Sequence, residues 1–185
     1  MKKTNKKQEL TNEEIEFLSE SNKIEREYSQ EALDDAIVAW KYAKKEFKKN
    51  KGKLSISFIL DIHKKLLQRI KPHYAGIIRD SAVMIGGEVR NQNKEEIIEE
   101  WSKLIEDWNN RMFVTTNAAS TEKREKQIKE YFVKTWHIDW EKSHGNYDGN
   151  GRIGRILMNL QRLELGLPIL IIHEGVEQQK YYQWF

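Results

Sequence analysis

The chain has 185 residues, and its 32 basic and 29 acidic side chains leave a formal net charge of only +3, which gives no argument for nucleic-acid binding. Its length allows one domain with a full core, and the absence of cysteine excludes a disulfide framework, a thiolate metal site and a cysteine nucleophile. No apolar signal segment and no run of about 18 apolar residues occurs, so the sequence favours a cytoplasmic protein that does not enter a membrane.

The first seventy or so residues are predicted to be a basic tail followed by three helices. Lysine-rich residues 1–10 favour a disordered tail, and a Thr-x-x-Glu capping box predicts a short helix at about 11–27. Apolar residues at helical spacing predict two longer helices, at 29–49 and 55–71, the second of which is closed by a proline.

A short segment between the helical patterns predicts a β-hairpin. Val83, Met84 and Ile85 precede Gly86 and Gly87, and another apolar residue follows the glycine pair. An isolated hairpin adds little stability to a helical protein. We therefore expect a flap that positions a substrate, with a plain connector as the alternative.

The second half of the chain returns to helical patterns. Apolar residues on one face predict helices at 94–110 and 121–140, and a third that begins near Arg152 and ends at Gly166. Aromatic residues at 181–185 indicate either a docked last helix or a chain cut before its natural end. The patterns together predict a mainly α fold.

The stretch from His144 to Arg155 combines the groups that a phosphate site requires. The Gly-Asn-Gly run at 149–151 allows a tight turn that points backbone N–H groups at an anion, and the following helix adds its positive N-terminal end. Arg152 and Arg155 are three positions apart, so both lie near the first turn of that helix. The stretch predicts a cradle for a triphosphate.

Two residues of this stretch are candidates for the chemistry. His144 is a residue type with an unperturbed pKa of about 6.5, which suits a general base for a hydroxyl. Asp148 supplies a hard oxygen ligand for Mg²⁺, which binds one or two carboxylates together with phosphate oxygens. The predicted chemistry is phosphoryl or nucleotidyl transfer, and the alternatives are a loop histidine without a role and a solvated arginine pair.

The same stretch resembles the signature of the Fic family, which is His-Pro-Phe-x-Asp/Glu-Gly-Asn-Gly-Arg-x-x-Arg. Its histidine, its aspartate, its Gly-Asn-Gly run and both of its arginines stand at matching positions. Residues 75–79 and 83–85 resemble the family's flap, and residues 137–141 resemble the helix end that leads into its histidine. The resemblance covers about residues 11–185 and implies a single domain, a compact Fic-type helical bundle with one β-hairpin flap over the active site.

The resemblance implies a protein adenylyltransferase that uses ATP and Mg²⁺ to transfer AMP to a hydroxyl side chain of a target protein, and of itself. His144 would remove the proton of that hydroxyl, Asp148 would hold the metal, and the flap would bind the target's extended backbone. The implied anion hole and phosphate ligands are Gly149, Asn150, Gly151, Arg152 and Arg155, and the implied flap is Val83, Met84, Ile85, Gly86 and Gly87. No nucleic-acid or membrane partner is implied, and a homo-oligomer stays open.

A second resemblance lies in the first predicted helix. The residues Ser21-Asn22-Lys23-Ile24-Glu25 resemble the family's inhibitory motif, Ser/Thr-x-x-x-Glu followed by Gly or Asn, although Arg26 stands in the last position. The resemblance implies that Glu25 pairs with Arg155 and blocks productive binding of the γ-phosphate, because one guanidinium cannot serve a carboxylate and a phosphate at once. An ordinary surface helix is the alternative.

Gly145 and Asn146 replace the proline and phenylalanine that usually follow the family's histidine. Loss of the apolar anchor predicts a less well-defined loop, at a cost on the order of 2 kcal/mol, unless Tyr147 turns into the core instead. A nucleotide-binding regulatory module with little turnover is therefore one alternative function. Transfer of another phosphate-containing group, such as UMP or phosphocholine, is a second, because the cradle recognises phosphates and not the rest of the donor.

Overall fold

The computed structural model describes residues 9–85, 87–90, 92–111 and 121–185, which form seven helices and one antiparallel hairpin. The helices are α1 (Asn12–Ile24), α2 (Gln30–Lys49), α3 (Ile56–Leu67), α4 (Lys94–Asn109), α5 (Glu122–Ser143), α6 (Asn150–Glu164) and α7 (Val176–Tyr182), and the strands β1 (Val83–Ile85) and β2 (Glu88–Arg90) lie between α3 and α4. The predicted mainly α fold with a hairpin is confirmed. Within these ranges no helix is long and apolar enough to cross a membrane. Residues 1–8 of the predicted tail and Gly86 of the predicted flap lie outside the described residues.

Side-chain caps explain where most of the helices begin. Thr11 forms the predicted capping box at the start of α1: its Oγ1 accepts from Glu14 N at 3.2 Å, and Glu14 Oε2 accepts from Thr11 N at 2.9 Å. Ser29, Ser55 and Thr121 cap α2, α3 and α5, each by accepting a hydrogen bond from the backbone N–H three residues on. These pairs are local in sequence, which makes the helix starts predictable.

Buried tryptophans fix the last turn of α5. The rings of Trp101 on α4 and Trp140 on α5 lie 4.6 Å apart, and both side chains are fully buried. Trp101 Nε1 also donates to Ser143 Oγ at 3.0 Å, at the C-terminal residue of α5. The tryptophan contacts therefore determine where α5 ends and where the residue after it, His144, is placed.

Helix α6 is buried on nearly every side and packs against α1, α2, α3 and α5. Its apolar residues Ile153, Ile156, Leu157 and Leu160 are each 2% exposed or less. A helix surrounded in this way is held by packing all along its length. The N-terminus of α6 is consequently held at a fixed place among the other helices, next to the loop that starts at His144.

The hairpin is paired in the register Val83 with Arg90, Met84 with Val89, and Ile85 with Glu88. The side chains of Met84 and Val89 are 74% and 64% exposed, so the paired apolar residues at its centre face solvent. Core packing therefore does not explain why the hairpin forms.

Candidate active site

His144 lies directly after α5 in a left-handed conformation, with φ 40° and ψ 51°. A non-glycine residue in this region stores strain on the order of 1 to 3 kcal/mol, and the surrounding contacts must hold it there. The side chain is half-buried. Burial, with the nearby positive charge of Arg79, lowers the pKa of His144 below its usual value. The imidazole is therefore neutral at pH 7 and able to accept a proton.

Arg79 is a fully buried arginine that joins the His144 loop to the hairpin. Its Nε donates to His144 O at 2.7 Å, and its backbone N donates to Gly145 O at 2.9 Å. Its Nη1 donates to Ser81 O and Gln92 O, both at 3.0 Å, on either side of the two strands. One guanidinium thus holds the base of the hairpin and the backbone of His144 in a fixed relation. This role of Arg79 was not predicted from the sequence, where the residue falls only within the flap resemblance.

Asn146 anchors the loop with hydrogen bonds in place of an apolar side chain. It is fully buried, its Nδ2 donates to Ile77 O at 2.7 Å, and its N donates to Asn150 Oδ1 at 2.9 Å. Asn150 Nδ2 donates back to Asn146 O at 2.8 Å. Tyr147 does not replace the missing anchor, since its hydroxyl bonds to Asp80. The loss of the usual anchor is therefore offset by contacts that the sequence pattern did not reveal.

Gly145 is required by a close approach to the tryptophan core. A Cβ at this position would lie 2.5 Å from Trp101 Cζ2 and 2.7 Å from Ile97 Cγ2. Both neighbours are fully buried and belong to the hydrophobic core. The glycine therefore lets the loop pack directly on the core after His144.

The first turn of α6 combines features that attract an anion. Gly149 is the N-cap residue, with φ 77°, and it has no side chain to cap the N–H groups of this turn. Free N–H groups at a helix N-terminus attract anions. The side chains of Arg152 and Arg155 are 4% and 2% exposed and add two positive charges to the same helix end. The predicted phosphate ligands are thus brought together.

Glu25, the residue after α1, supplies the carboxylate that this site holds. Its Oε1 accepts from Arg155 Nη2 at 2.8 Å, and it lies so close to Gly151 that a Cβ there would overlap it. Arg155 also donates from Nε to Ser21 Oγ and from Nη2 to Ser21 O, both at 2.9 Å. The structure therefore places the two predicted inhibitory residues on the second arginine of the motif.

Asp148 is the predicted metal ligand, and both of its oxygens are occupied by donors of the chain. Oδ1 accepts from Gly149 N at 2.5 Å and from Arg152 Nη2 at 3.2 Å, and Oδ2 lies 2.5 Å from Lys71 Nζ. Burial alone would raise the pKa of Asp148, but the hydrogen bond from Lys71 and the charge of Arg152 outweigh it and lower that pKa. The group is a carboxylate at neutral pH.

A single carboxylate fits a divalent cation that arrives with phosphate oxygens. Mg²⁺ is commonly held by one or two carboxylates and completes its shell with phosphate and water. In the parts of the chain that the structure describes, no group of three or more His, Asp or Glu side chains is placed to hold a metal ion. Asp148 therefore suits a metal ion whose remaining ligands come from a nucleotide.

His63 supports Asp148 from α3. Gly76 N donates to its Nδ1 at 3.0 Å, so its Nε2 carries the proton and donates to Asp148 O at 2.8 Å. Burial lowers the pKa of His63, which favours this neutral form. The side chain thus connects the segment before the hairpin with the Asp148 backbone, a link between residues 85 positions apart that has no local sequence signal.

A cavity of about 440 Å³ opens in front of His144, within the size range of small-molecule sites. Its lining includes His144, Gly151, Arg155 and Glu25. It also includes Arg90 of β2, Glu141, Lys142 and the aromatic residues Tyr181, Tyr182 and Phe185. This role of the aromatic segment was not predicted from the sequence, where aromatic composition was its only signal.

Glu141 is a largely buried carboxyl on the last turn of α5 that the motif does not account for. Its Oε1 occupies the space that a Cβ would fill at residue 154, so Gly154 makes room for it. Burial raises the pKa of Glu141 to about 8, with the charge of Arg155 acting in the opposite direction. The lining of the cavity therefore includes a carboxyl group that keeps its proton at neutral pH.

Comparison with known proteins identifies the domain that carries this site. Residues 53–161, which include the complete motif loop, match the profile described as the Fic/DOC family. The chain belongs to the Fic/DOC family. A curated relative named "Protein adenylyltransferase Fic", from Drosophila willistoni, is 28% identical over 134 residues, which are 72% of this chain and 24% of that protein. This Fic/DOC chain thus spans about a quarter of that relative's length.

Solved Fic structures share the fold. A Fic-domain-containing signalling protein from Bacteroides thetaiotaomicron VPI-5482 aligns with a TM-score of 0.70 and 20% identity, over 92% of this chain and 68% of that one. Fic-1 (residues 134–508) from C. elegans aligns with a TM-score of 0.68 and 18% identity, over 92% of this chain and 54% of that one. These alignments confirm a Fic fold for the helices and the hairpin.

Proposed function

We propose that this Fic/DOC chain is a protein adenylyltransferase that transfers AMP from ATP to a hydroxyl side chain of a target protein and of itself. Family membership and the name of the Drosophila willistoni relative support this activity. One observation carries it: the neutral imidazole of His144 faces the same cavity as Gly151 of the uncapped helix end and Arg155. The proposed base and the proposed phosphate site are thereby adjacent.

In the proposed reaction, His144 accepts the proton of the target hydroxyl as its oxygen bonds to the α-phosphorus. The bond from that phosphorus to the bridging oxygen breaks, and pyrophosphate leaves with the electron pair. The N–H groups of Asn150 and Gly151 stabilise the charge that develops on the α-phosphate, and Arg152 and Arg155 bind the β- and γ-phosphates. Mg²⁺ on Asp148 would neutralise phosphate charge.

The hairpin is the proposed docking edge for the target. An extended segment of the target would add to a strand by backbone hydrogen bonds, and the exposed Met84 and Val89 would contact its side chains. Arg79 would then keep that segment in register with His144, since it bonds both to the hairpin ends and to His144 O. Binding of the target would thus explain a hairpin that core packing does not.

Glu25 is proposed to keep the enzyme inactive. Its carboxylate occupies Arg155 and the space over Gly151, where the nucleotide phosphates are proposed to bind. A γ-phosphate must displace Glu25 before it can reach the guanidinium. Nucleotide entry therefore competes with an ion pair of the chain itself.

The test is transfer of label from nucleotides with Mg²⁺. Wild type and Glu25→Gly are incubated with α-labelled ATP, CTP, GTP or UTP, or with labelled CDP-choline, alone and with a cell lysate. We expect protein-bound label from ATP, more of it with Glu25→Gly, and none when His144→Ala is added to that variant. Label from UTP or CDP-choline instead would identify another transferred group. ATP binding without any label would contradict the transferase and favour a regulatory module.

A further inference from the structure

Lys71 places an ammonium group on the carboxylate of the motif. It lies in the turn after α3, where its N donates to Leu67 O at 2.8 Å and Pro72 follows it. From this fixed backbone its Nζ reaches Asp148 Oδ2 at 2.5 Å. Lys71 is outside the signature that runs from His144 to Arg155.

The two oxygens of Asp148 have different surroundings. Oδ1 is held by the neighbouring N–H of Gly149 and by Arg152, which is itself nearly buried. Oδ2 contacts Lys71, whose side chain is 46% exposed. Oδ2 is therefore the oxygen that an incoming cation can reach, and Lys71 is the group that stands in front of it.

An ammonium is a suitable temporary occupant of that oxygen. It is a compact charge on a flexible stem, and its exposure lets it return to water when a stronger cation arrives. Mg²⁺ loses its water shell reluctantly and needs several oxygen ligands, whereas this site offers one carboxylate. Without nucleotide, the metal therefore competes weakly for this carboxylate against a lysine that is already in place.

We propose that Lys71 competes with the divalent cation for Asp148 Oδ2, so that the metal enters only together with the phosphates of the nucleotide. This inference rests on the proposed function, which gives Asp148 its metal. Lys71 and Glu25 then act in parallel: one holds the metal carboxylate and the other holds Arg155 of the phosphate site. One ligand, the metal–nucleotide complex, replaces both ion pairs.

The test is Mn²⁺ binding without nucleotide, followed through the electron paramagnetic resonance signal of free Mn²⁺. Lys71→Met should bind Mn²⁺ about fivefold more tightly than wild type, because it removes a half-exposed ion pair. Lys71→Arg, which keeps the charge, should remain close to wild type. Lys64→Met is the matched control, since it removes a lysine of α3 with the same change in net charge. Lys71→Gln repeats the measurement if Lys71→Met is not folded by circular dichroism.

Equal Mn²⁺ affinity in wild type, Lys71→Met and Lys71→Gln would overturn the proposal. Tighter binding that persists when Asp148→Asn is added to Lys71→Met would also overturn it, because the extra ion would then bind elsewhere. The result is independent of the transferase assay. Tighter Mn²⁺ binding by Lys71→Met without label transfer from any nucleotide would contradict the proposed function and leave the competition at Asp148 standing.

Discussion

Replacing Glu25 by glutamine keeps the shape of the side chain and removes its charge, so it isolates the ion pair with Arg155. In wild type, ATP must displace this carboxylate before Arg155 can bind a phosphate. In Glu25→Gln, Arg155 keeps its bonds to Ser21, but the charged group that competes with ATP for this arginine is gone. We expect tighter ATP binding as the result.

The size of the gain follows from the geometry. The contact is one charge-assisted hydrogen bond of 2.8 Å, of a type worth about 1.5 to 3 kcal/mol when shielded from water. The Arg155 side chain is 2% exposed, but that of Glu25 is 36% exposed, and water screens its charge in part. A value of about 1 to 2 kcal/mol remains, which corresponds to an increase of about 5- to 30-fold in ATP affinity.

Isothermal titration calorimetry with ATP and with ADP measures this gain. ADP should gain less, because Arg155 is the proposed ligand of the γ-phosphate. Glu13→Gln is the matched control: it removes an exposed carboxylate from α1, the helix that Glu25 follows. Unchanged ATP affinity in Glu25→Gln, or an equal gain in Glu13→Gln, would refute the reasoning from the ion pair.

Three further predictions follow from other contacts. Gly145→Ala places a Cβ against Trp101, and urea denaturation should show a loss of about 1 to 3 kcal/mol in the free energy of unfolding; an unaffected midpoint would contradict the close approach. Burial and the positive charge of Arg79 together lower the pKa of His144, so Arg79→Gln should raise that pKa. The acid limb of the pH–rate profile for label transfer should then move to higher pH, and a limb that stays in place would exclude this effect. Because the folded pKa of Glu141 is raised to about 8 from 4.5, the folded state keeps a proton that the unfolded chain loses, and stability falls as the pH rises through this window. Glu141→Gln should therefore be more stable than wild type at pH 8, with a difference that shrinks towards pH 4.5, and a constant difference would show that charge is not the cause.

The sequence predicts the helices well because their signals are local. The Thr11–Glu14 capping box and the apolar spacing along α2 and α3 involve residues within one or two helical turns of each other. The stretch from His144 to Arg155 is equally local and long enough to indicate the family, which the match at residues 53–161 confirms. The roles of its individual residues stay predictions.

The supports of the candidate site had no such signal. Asn146 bonds to a backbone carbonyl 69 positions away, and Arg79 bonds to His144 O across 65 positions. A polar pair between distant segments has no period and no fixed spacing, so it is fixed only when the helices pack. The expectation of a poorly anchored loop arose from judging Asn146 by its own polarity, without the carbonyl of Ile77 that receives its hydrogen bond.

The sharpest test of AMP transfer with His144 as the base compares protein-bound label from α-labelled ATP between Glu25→Gly and Glu25→Gly/His144→Ala. Both proteins lack the competing carboxylate, so they differ only in the proposed base. We predict Mg²⁺-dependent label on the first protein or its targets and none with the second, while both bind ATP. Equal labelling of the two, or none with either despite bound ATP, would contradict this prediction.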